Sequence, residues 1–435
     1  MPNFILLAAC AVLLWALNAQ WLKRSGIVGP AALVALGSVM VLLDVDSFST
    51  LLSLDAVQKS VEIILAVILF VDATEVRGGI FGGVGRAVSR LVLIALPLSL
   101  LMAVLFGLGL KPDADLFVLI VVACIVMPTD FATSTEILRS SALPARTRRI
   151  LNVESGYNDG LVSPIFIMAL ALAKLSLSLG SQIPDPESLS GASLASVERH
   201  LDEFAAAFVN AVPATLGAIL VGVLVGGISG YSVRKLSETR EMSAPGTRYV
   251  MLLIPLICYG IATLPWLEAN GFVAAFVAGL MYRLTRTWRT PKLAIGHGER
   301  SLVEDTAELA GLFVWFALGG VATFVTLKIG GVDWRALYFA LAALTVARIV
   351  PVLISLLGTR FRWKERLLLG VVGPRGTATI VFGLLAYHAL EGDQAFTVLT
   401  ITVYTVILSI VLHGVLTPYV LTRMSRRRPD AAPSP

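Results

Sequence analysis

Two carboxylates, a carboxamide and a hydroxyl interrupt an otherwise apolar segment at Asn152-Val153-Glu154-Ser155-Gly156-Tyr157-Asn158-Asp159-Gly160. A charge at the centre of a membrane-spanning helix costs about 2.5–3.5 kcal/mol on the insertion scale, so such groups face a bundle interior or a water-filled path and serve a function there. On a helix, Glu154 and Asn158 stand four apart, as do Ser155 and Asp159. Each pair then forms a stripe, and the two stripes run side by side. A hydroxyl one turn from a carboxylate is hard-oxygen chemistry, suited to a small cation or a proton. Taking Asp159 out of water disfavours its bare charge, which either a proton or a cation neutralises. A group that holds one or the other, but never both, suffices for obligatory exchange. The segment points to an ion-coupled transporter.

Composition places these residues in a membrane. Hydrophobic residues make up 57% of 435, charged residues 14%, and mean hydropathy is +0.84, which excludes a soluble globular domain. The net charge of +5 does not signal nucleic acid, because the basic residues are dispersed among short loops. Cys10, Cys124 and Cys258 lie far apart inside apolar runs, without metal-ligand spacing, and read as buried thiols. No resident cofactor is expected. The first apolar run, Phe4 to Trp21, lacks a cleavage site and reads as a retained helix.

Runs long enough to cross a bilayer number about thirteen, at roughly 4–22, 27–43, 56–72, 88–110, 115–142, 148–175, 203–231, 247–264, 268–284, 303–327, 334–358, 365–390 and 395–421. Basic residues concentrate in alternate connections, such as Lys23 and Arg24, Arg146 to Arg149, Arg234 to Arg248, and Arg360 to Arg366. By the positive-inside rule the expected protein is a multi-pass protein of the cell (inner) membrane, N-terminus outside and C-terminus cytoplasmic. The stretch 176–202, with Pro184-Asp185-Pro186, reads as an external linker between halves of about six spans. Residues 423–435 read as a basic cytoplasmic tail, and no soluble regulatory domain is expected.

Two spans carry interruptions at corresponding places, Met127-Pro128-Thr129-Asp130 in the fifth and Val371-Val372-Gly373-Pro374-Arg375-Gly376 in the twelfth. Proline removes a backbone donor, and glycine favours unwinding. Matched breaks in two repeats are the best sequence pointer to a transporter's midplane site. The expected fold is therefore all-helical, with two inverted six-helix repeats and discontinuous helices five and twelve. Free carbonyls and half-helix ends at the breaks are expected to help coordinate a cation.

Pro128-Thr129-Asp130, Glu154-Ser155-x-x-Asn158-Asp159-Gly160 and Gly373-x-Arg375-Gly376 together resemble the signature of NhaP/NHE-type monovalent cation–proton antiporters. The resemblance covers essentially the whole chain. It implies a homodimer of thirteen-helix protomers in the bilayer, exchanging Na⁺ (or Li⁺) for H⁺ by an elevator-type movement and serving pH homeostasis. Helices one to three (1–86) and seven to ten (203–327) would form the dimerisation domain. Helices four to six (87–175) and eleven to thirteen (333–422) would form the ion-carrying core. Na⁺ would sit at Asp159, Ser155 and Thr129. Asp72, after Leu69-Phe70-Val71, would line the ion pathway; its alternative is a carboxylate snorkelling at a helix end beside Glu75 and Arg77. Two departures stand next to the presumed site: Phe131-Ala132-Thr133 where the family has Pro-Val-Ala, and Gly156-Tyr157 where it has two apolar residues.

The supporting residues follow. Asp130 either binds the ion or steadies the half-helix dipoles. Glu154 requires a partner, and Arg348, equally stranded in apolar sequence, is the expected one, as the family also implies. Arg375 either compensates exposed carbonyls or pairs with an acid. Asn158, neutral where electrogenic relatives carry an acid, implies one proton per cation. His388 and His413 read as hydrogen-bonded to neighbouring helices, with pH sensing as the alternative. Glu304, Asp305 and Glu308 read as a helix N-terminus. A K⁺/H⁺ antiporter is the nearest alternative. An intramembrane aspartyl protease lacks its Gly-x-Gly-Asp context, and a cation channel lacks a repeated filter.

Overall fold

The structure, a computed structural model, describes residues 2–25, 29–75, 84–131, 143–180, 192–288 and 295–417. Among them every regular element is a helix. The first are α1 (Pro2–Arg24), α2 (Gly29–Leu43), the short α3 (Val45–Leu52) and α4 (Asp55–Glu75). Next come α5 (Gly85–Leu110), with a π turn at Leu91–Ala95, and α6 (Leu116–Val126). The middle of the chain forms α7 (Ala145–Gly180), α8 (Ala192–Glu238), α9 (Ala244–Ala262), α10 (Gly271–Arg286) and α11 (His297–Ile329). The last are α12 (Trp334–Ser355), α13 (Trp363–Val371), α14 (Thr377–Ala389) and α15 (Gly392–Ser409), which continues as a π turn at Ile410–Leu416.

Eight helices are long and apolar enough to cross a membrane by length and composition, and α2, α6 and α14 are shorter apolar helices. Polar caps restart the chain after turns. Asp115, Ser243, Asn270 and Asp333 each accept hydrogen bonds from the first-turn amides of α6, α9, α10 and α12. Small residues bring helices into contact. A Cβ on Gly226 of α8 would fall 2.2 Å from the Ala278 carbonyl oxygen of α10, so only glycine permits that crossing. α7 packs against α6, α4, α10 and α14, which makes it the hub for the residues singled out above.

The structure corrects several expectations. The linker 176–202 narrows, because α7 runs to Gly180 and α8 begins at Ala192. The Ala, Leu and Glu content of residues 192–203 suffices for helix outside an apolar run. Pro184-Asp185-Pro186, Arg77, Arg139, Ala132-Thr133 and the tail 423–435 lie outside the described residues. α11 starts at His297, so Glu304 sits in its third turn and pairs with Arg300 at 3.1 Å instead of capping the helix. The eleventh span bends at Thr345 (φ −116°, ψ −89°), whose hydroxyl donates to the Leu341 carbonyl at 2.6 Å. Such side-chain back-bonding competes with the helical ladder. The bend lies one turn before Arg348.

Candidate functional site

The two breaks meet. α6 stops at Val126, Met127 caps it, and Pro128 withholds the next amide donor. α13 stops at Val371, and Val372 to Gly376 run extended into α14. The Asp130 amide donates to the Pro374 carbonyl at 2.9 Å, joining one break to the other. The Asp130 carboxylate lies at the N-terminus of α14, with Oδ2 at 3.4 Å from the Ala378 amide. It approaches so closely that a Cβ on Gly376 would fall 2.3 Å from Oδ2. A carboxylate at a helix N-terminus is stabilised by unpaired amides and by the helix dipole. Of the two roles open to Asp130, this geometry fits the steadying of a half-helix.

Arg375 is fully buried and donates to the carbonyls of Val126 and Gly373. Its amide donates to Ser409 Oγ of α15 at 2.7 Å. His413, one turn further along, sits 3.1 Å from the Val371 carbonyl oxygen through Nε2. The carbonyls of Val126, Val371, Gly373 and Pro374 therefore already have partners within the protein. The expectation of free carbonyls at the breaks does not hold for these four; unpaired polar backbone costs too much at this depth to be left bare. Both histidines bond to helix carbonyls, His388 through Nδ1 to Leu384 at 2.8 Å on its own helix.

α7 presents the remaining groups. The Ser155 hydroxyl donates to the Thr129 carbonyl at 2.8 Å, and the Asn158 amide donates to Thr129 Oγ1 at 2.9 Å. Two rungs thus hold the first break against α7. Asp159 is 3% exposed, and among the described residues nothing donates a hydrogen bond to its carboxylate. Its charge interacts with Asp130 and Arg375. Asp72, half-buried near the end of α4, interacts electrostatically with Asp130, Asp159 and Glu75. The structure thus brings Asp159, Ser155, Thr129, Asn158, Asp130 and Arg375 together and sets Asp72 opposite them on another helix.

Glu154 and Arg348 form a bidentate pair, Nη1 to Oε1 at 2.6 Å and Nη2 to Oε2 at 2.9 Å, with side chains 1% and 2% exposed. Arg348 Nη2 also lies 3.5 Å from the Leu369 carbonyl, so the pair joins α7, α12 and α13. Planar fork geometry satisfies both charges at once, which a buried pair needs to be tolerated.

Other groups were not singled out by sequence. Glu62 of α4 accepts from Gln58 Nε2 at 2.9 Å and from the Tyr259 hydroxyl of α9. A carboxylate seven residues into an apolar span was the available signal. Thr377, at the start of α14, accepts from Trp315 Nε1 at 3.2 Å; this pairing across 62 residues has no sequence signature.

Residues 4–423 match the family model described as sodium/hydrogen exchanger, transmembrane. The chain is 24% identical over 339 residues to a Na⁺/H⁺ antiporter of Schizosaccharomyces pombe, covering 76% of this chain and 67% of that protein. It is 26% identical over 211 residues to YjcE, an uncharacterized Na⁺/H⁺ exchanger of Escherichia coli, covering 47% of this chain and 33% of that protein. The fold is shared with the sodium proton antiporter MjNhaP1 of Methanocaldococcus jannaschii at pH 8. That match has a TM-score of 0.68 at 21% identity and covers 94% of this chain and 98% of that one.

Proposed function

The chain belongs to the sodium/hydrogen exchanger family, whose members are membrane transporters and not enzymes, and from that membership we propose that it exchanges Na⁺ (or Li⁺) for H⁺ across the cell membrane at Asp159. The observation that carries this reading is a carboxylate 3% exposed, lacking any hydrogen-bond donor among the described residues and set beside the two crossed breaks. Nothing but a proton or a cation neutralises such a group locally. Ser155 Oγ offers a neutral oxygen one turn away, its own hydrogen directed at Thr129. Thr129 shapes the same cavity wall. Asp130 secures α14, and Asp72 supplies negative charge on the approach.

In this reading Glu154, Arg348 and Arg375 tie the helices around the breaks into one body, which supports an elevator-type movement of that body between the two faces. The protein works as a homodimer, with the N-terminus outside and the C-terminus cytoplasmic. Proton-flux measurements on proteoliposomes with Li⁺, Na⁺, K⁺ and Rb⁺ in turn test the reading. Cation-dependent proton release with Li⁺ and Na⁺ is expected. Release with K⁺ alone would make it a K⁺/H⁺ antiporter, and absence of counterflow with every ion would overturn exchange altogether.

The exchange is electroneutral, one cation for one proton. The support is Asn158, a neutral side chain next to Asp159 that is hydrogen-bonded to Thr129 and carries no titrating proton. A membrane potential acts only on net translocated charge. With a potassium diffusion potential imposed on proteoliposomes and Na⁺ as substrate, the initial rate should be the same for either sign. A several-fold change with an inside-negative potential would mean that a second titrating group, Asp130 or Asp72, shares the cycle.

A further inference from the structure

Two residues before Asp159, Tyr157 turns away from the ion site and faces α10. Its ring meets Phe276 edge-on, with centroids 5.9 Å apart and planes at 78°. Its hydroxyl is hydrogen-bonded by the Arg283 guanidinium. Phe276 and Arg283 are seven apart on α10 and so share one face, two turns from each other. Gly160 makes the seat for Phe276, since a Cβ there would fall 2.3 Å from the ring. Tyr157, Phe276 and Arg283 are 5%, 4% and 5% exposed. Sequence assigns Arg283 to a basic cytoplasmic loop; the structure withdraws it from water and turns it toward the helix that carries Asp159. The contact also falls at Gly156-Tyr157, where this chain departs from the apolar pattern of the antiporters it resembles.

We propose that Tyr157 and Arg283 form a latch across the seam between α7 and α10, holding the site-bearing helix in the position seen here and opening when that helix slides. Both are positioning residues; neither coordinates the ion. The proposal rests on the reading that α7 moves past α10 with Asp159 as its ion site. A hydrogen bond from a charged donor, shielded from water, is among the stronger ones available to a side chain. Present in one end state and broken in the other, it weights the equilibrium toward the first by its whole differential strength. The aromatic contact between Tyr157 and Phe276 is apolar and adaptable, so the hydroxyl is the part that discriminates.

Tyr157→Phe isolates that part, because it keeps the ring on Phe276 and removes only the acceptor. The apparent KM for Na⁺, measured on right-side-out and on everted vesicles, should move in opposite directions on the two faces, by roughly three- to tenfold. Arg283→Gln should produce the same opposed shifts, and the double variant no more than either single one. Arg283→Lys, which keeps a charged donor, should restore part of the wild-type ratio. Unchanged KM on both faces with only a lower Tm would reduce the contact to packing and overturn the latch. Shifts in the same direction on both faces would overturn it as well, since they mark an altered ion site. Failure of the wild-type protein to exchange Na⁺ for H⁺ would instead overturn the underlying reading.

Discussion

Asp159→Asn should abolish exchange and leave a folded, membrane-inserted protein. The substitution keeps shape and removes the only charge that a proton and a cation can share. Folding should survive, because nothing among the described residues donates a hydrogen bond to the Asp159 carboxylate, so no tertiary bond is lost. Flux in proteoliposomes should fall by well over roughly tenfold, the factor that corresponds to about 1.4 kcal/mol of barrier, while the melting temperature in detergent holds. Asp130→Asn provides the contrast. It weakens the charge at the N-terminus of α14 and should lower both activity and thermal stability. Substantial residual exchange in Asp159→Asn would sink the single-carboxylate mechanism.

The second large effect concerns Glu154 and Arg348. Each is the other's bidentate partner, and both side chains are almost wholly withdrawn from water. Glu154→Gln or Arg348→Met leaves one buried charge unpaired, a loss that runs to about 3–5 kcal/mol. The double variant should recover part of it, because a buried ion pair replaced as a whole by neutral groups is often close to neutral in stability. Detergent melting temperatures of the two single variants and the double variant form the cycle. Strictly additive losses would mean that the pair does not act as a unit.

Much of this arrangement is legible in sequence, for physical reasons. Charges are so costly in an apolar helix that Glu154, Asp159 and Arg348 advertise themselves, and two stranded opposite charges have few ways to be satisfied except by each other. The breaks are legible because proline and glycine act locally. What sequence leaves open are choices made by tertiary contact. Asp130 had two roles in prospect, and the approach of Gly376 with the N-terminus of α14 favours the structural one. Arg375 turns to carbonyls because both breaks end beside it, a placement no local pattern encodes. Tyr157 and Arg283 are separated by an intervening pair of helices in the chain, and neither spacing nor periodicity marks them as partners. The bend at Thr345 and the long start of α11 are settled by side-chain back-bonding and by Arg300–Glu304 pairing, both too weak to read beforehand.

The satisfied carbonyls at the crossing bear on how an alkali ion would lose its hydration shell. A potassium filter replaces that shell with a ring of carbonyl dipoles, each a partial charge. Here the carbonyls of Val126, Thr129, Val371, Gly373 and Pro374 all have hydrogen-bonding partners already. An arriving ion would exchange water mainly for the full charge of Asp159 and for hydroxyl oxygen. That is a strong-field site. Attraction to a full negative charge grows as the distance of closest approach shrinks, so compact ions gain more from such a site than large ones, against the greater cost of stripping their water. The hydrogen bonds that close the two breaks would thereby tilt preference toward Li⁺ and Na⁺ over K⁺ and Rb⁺.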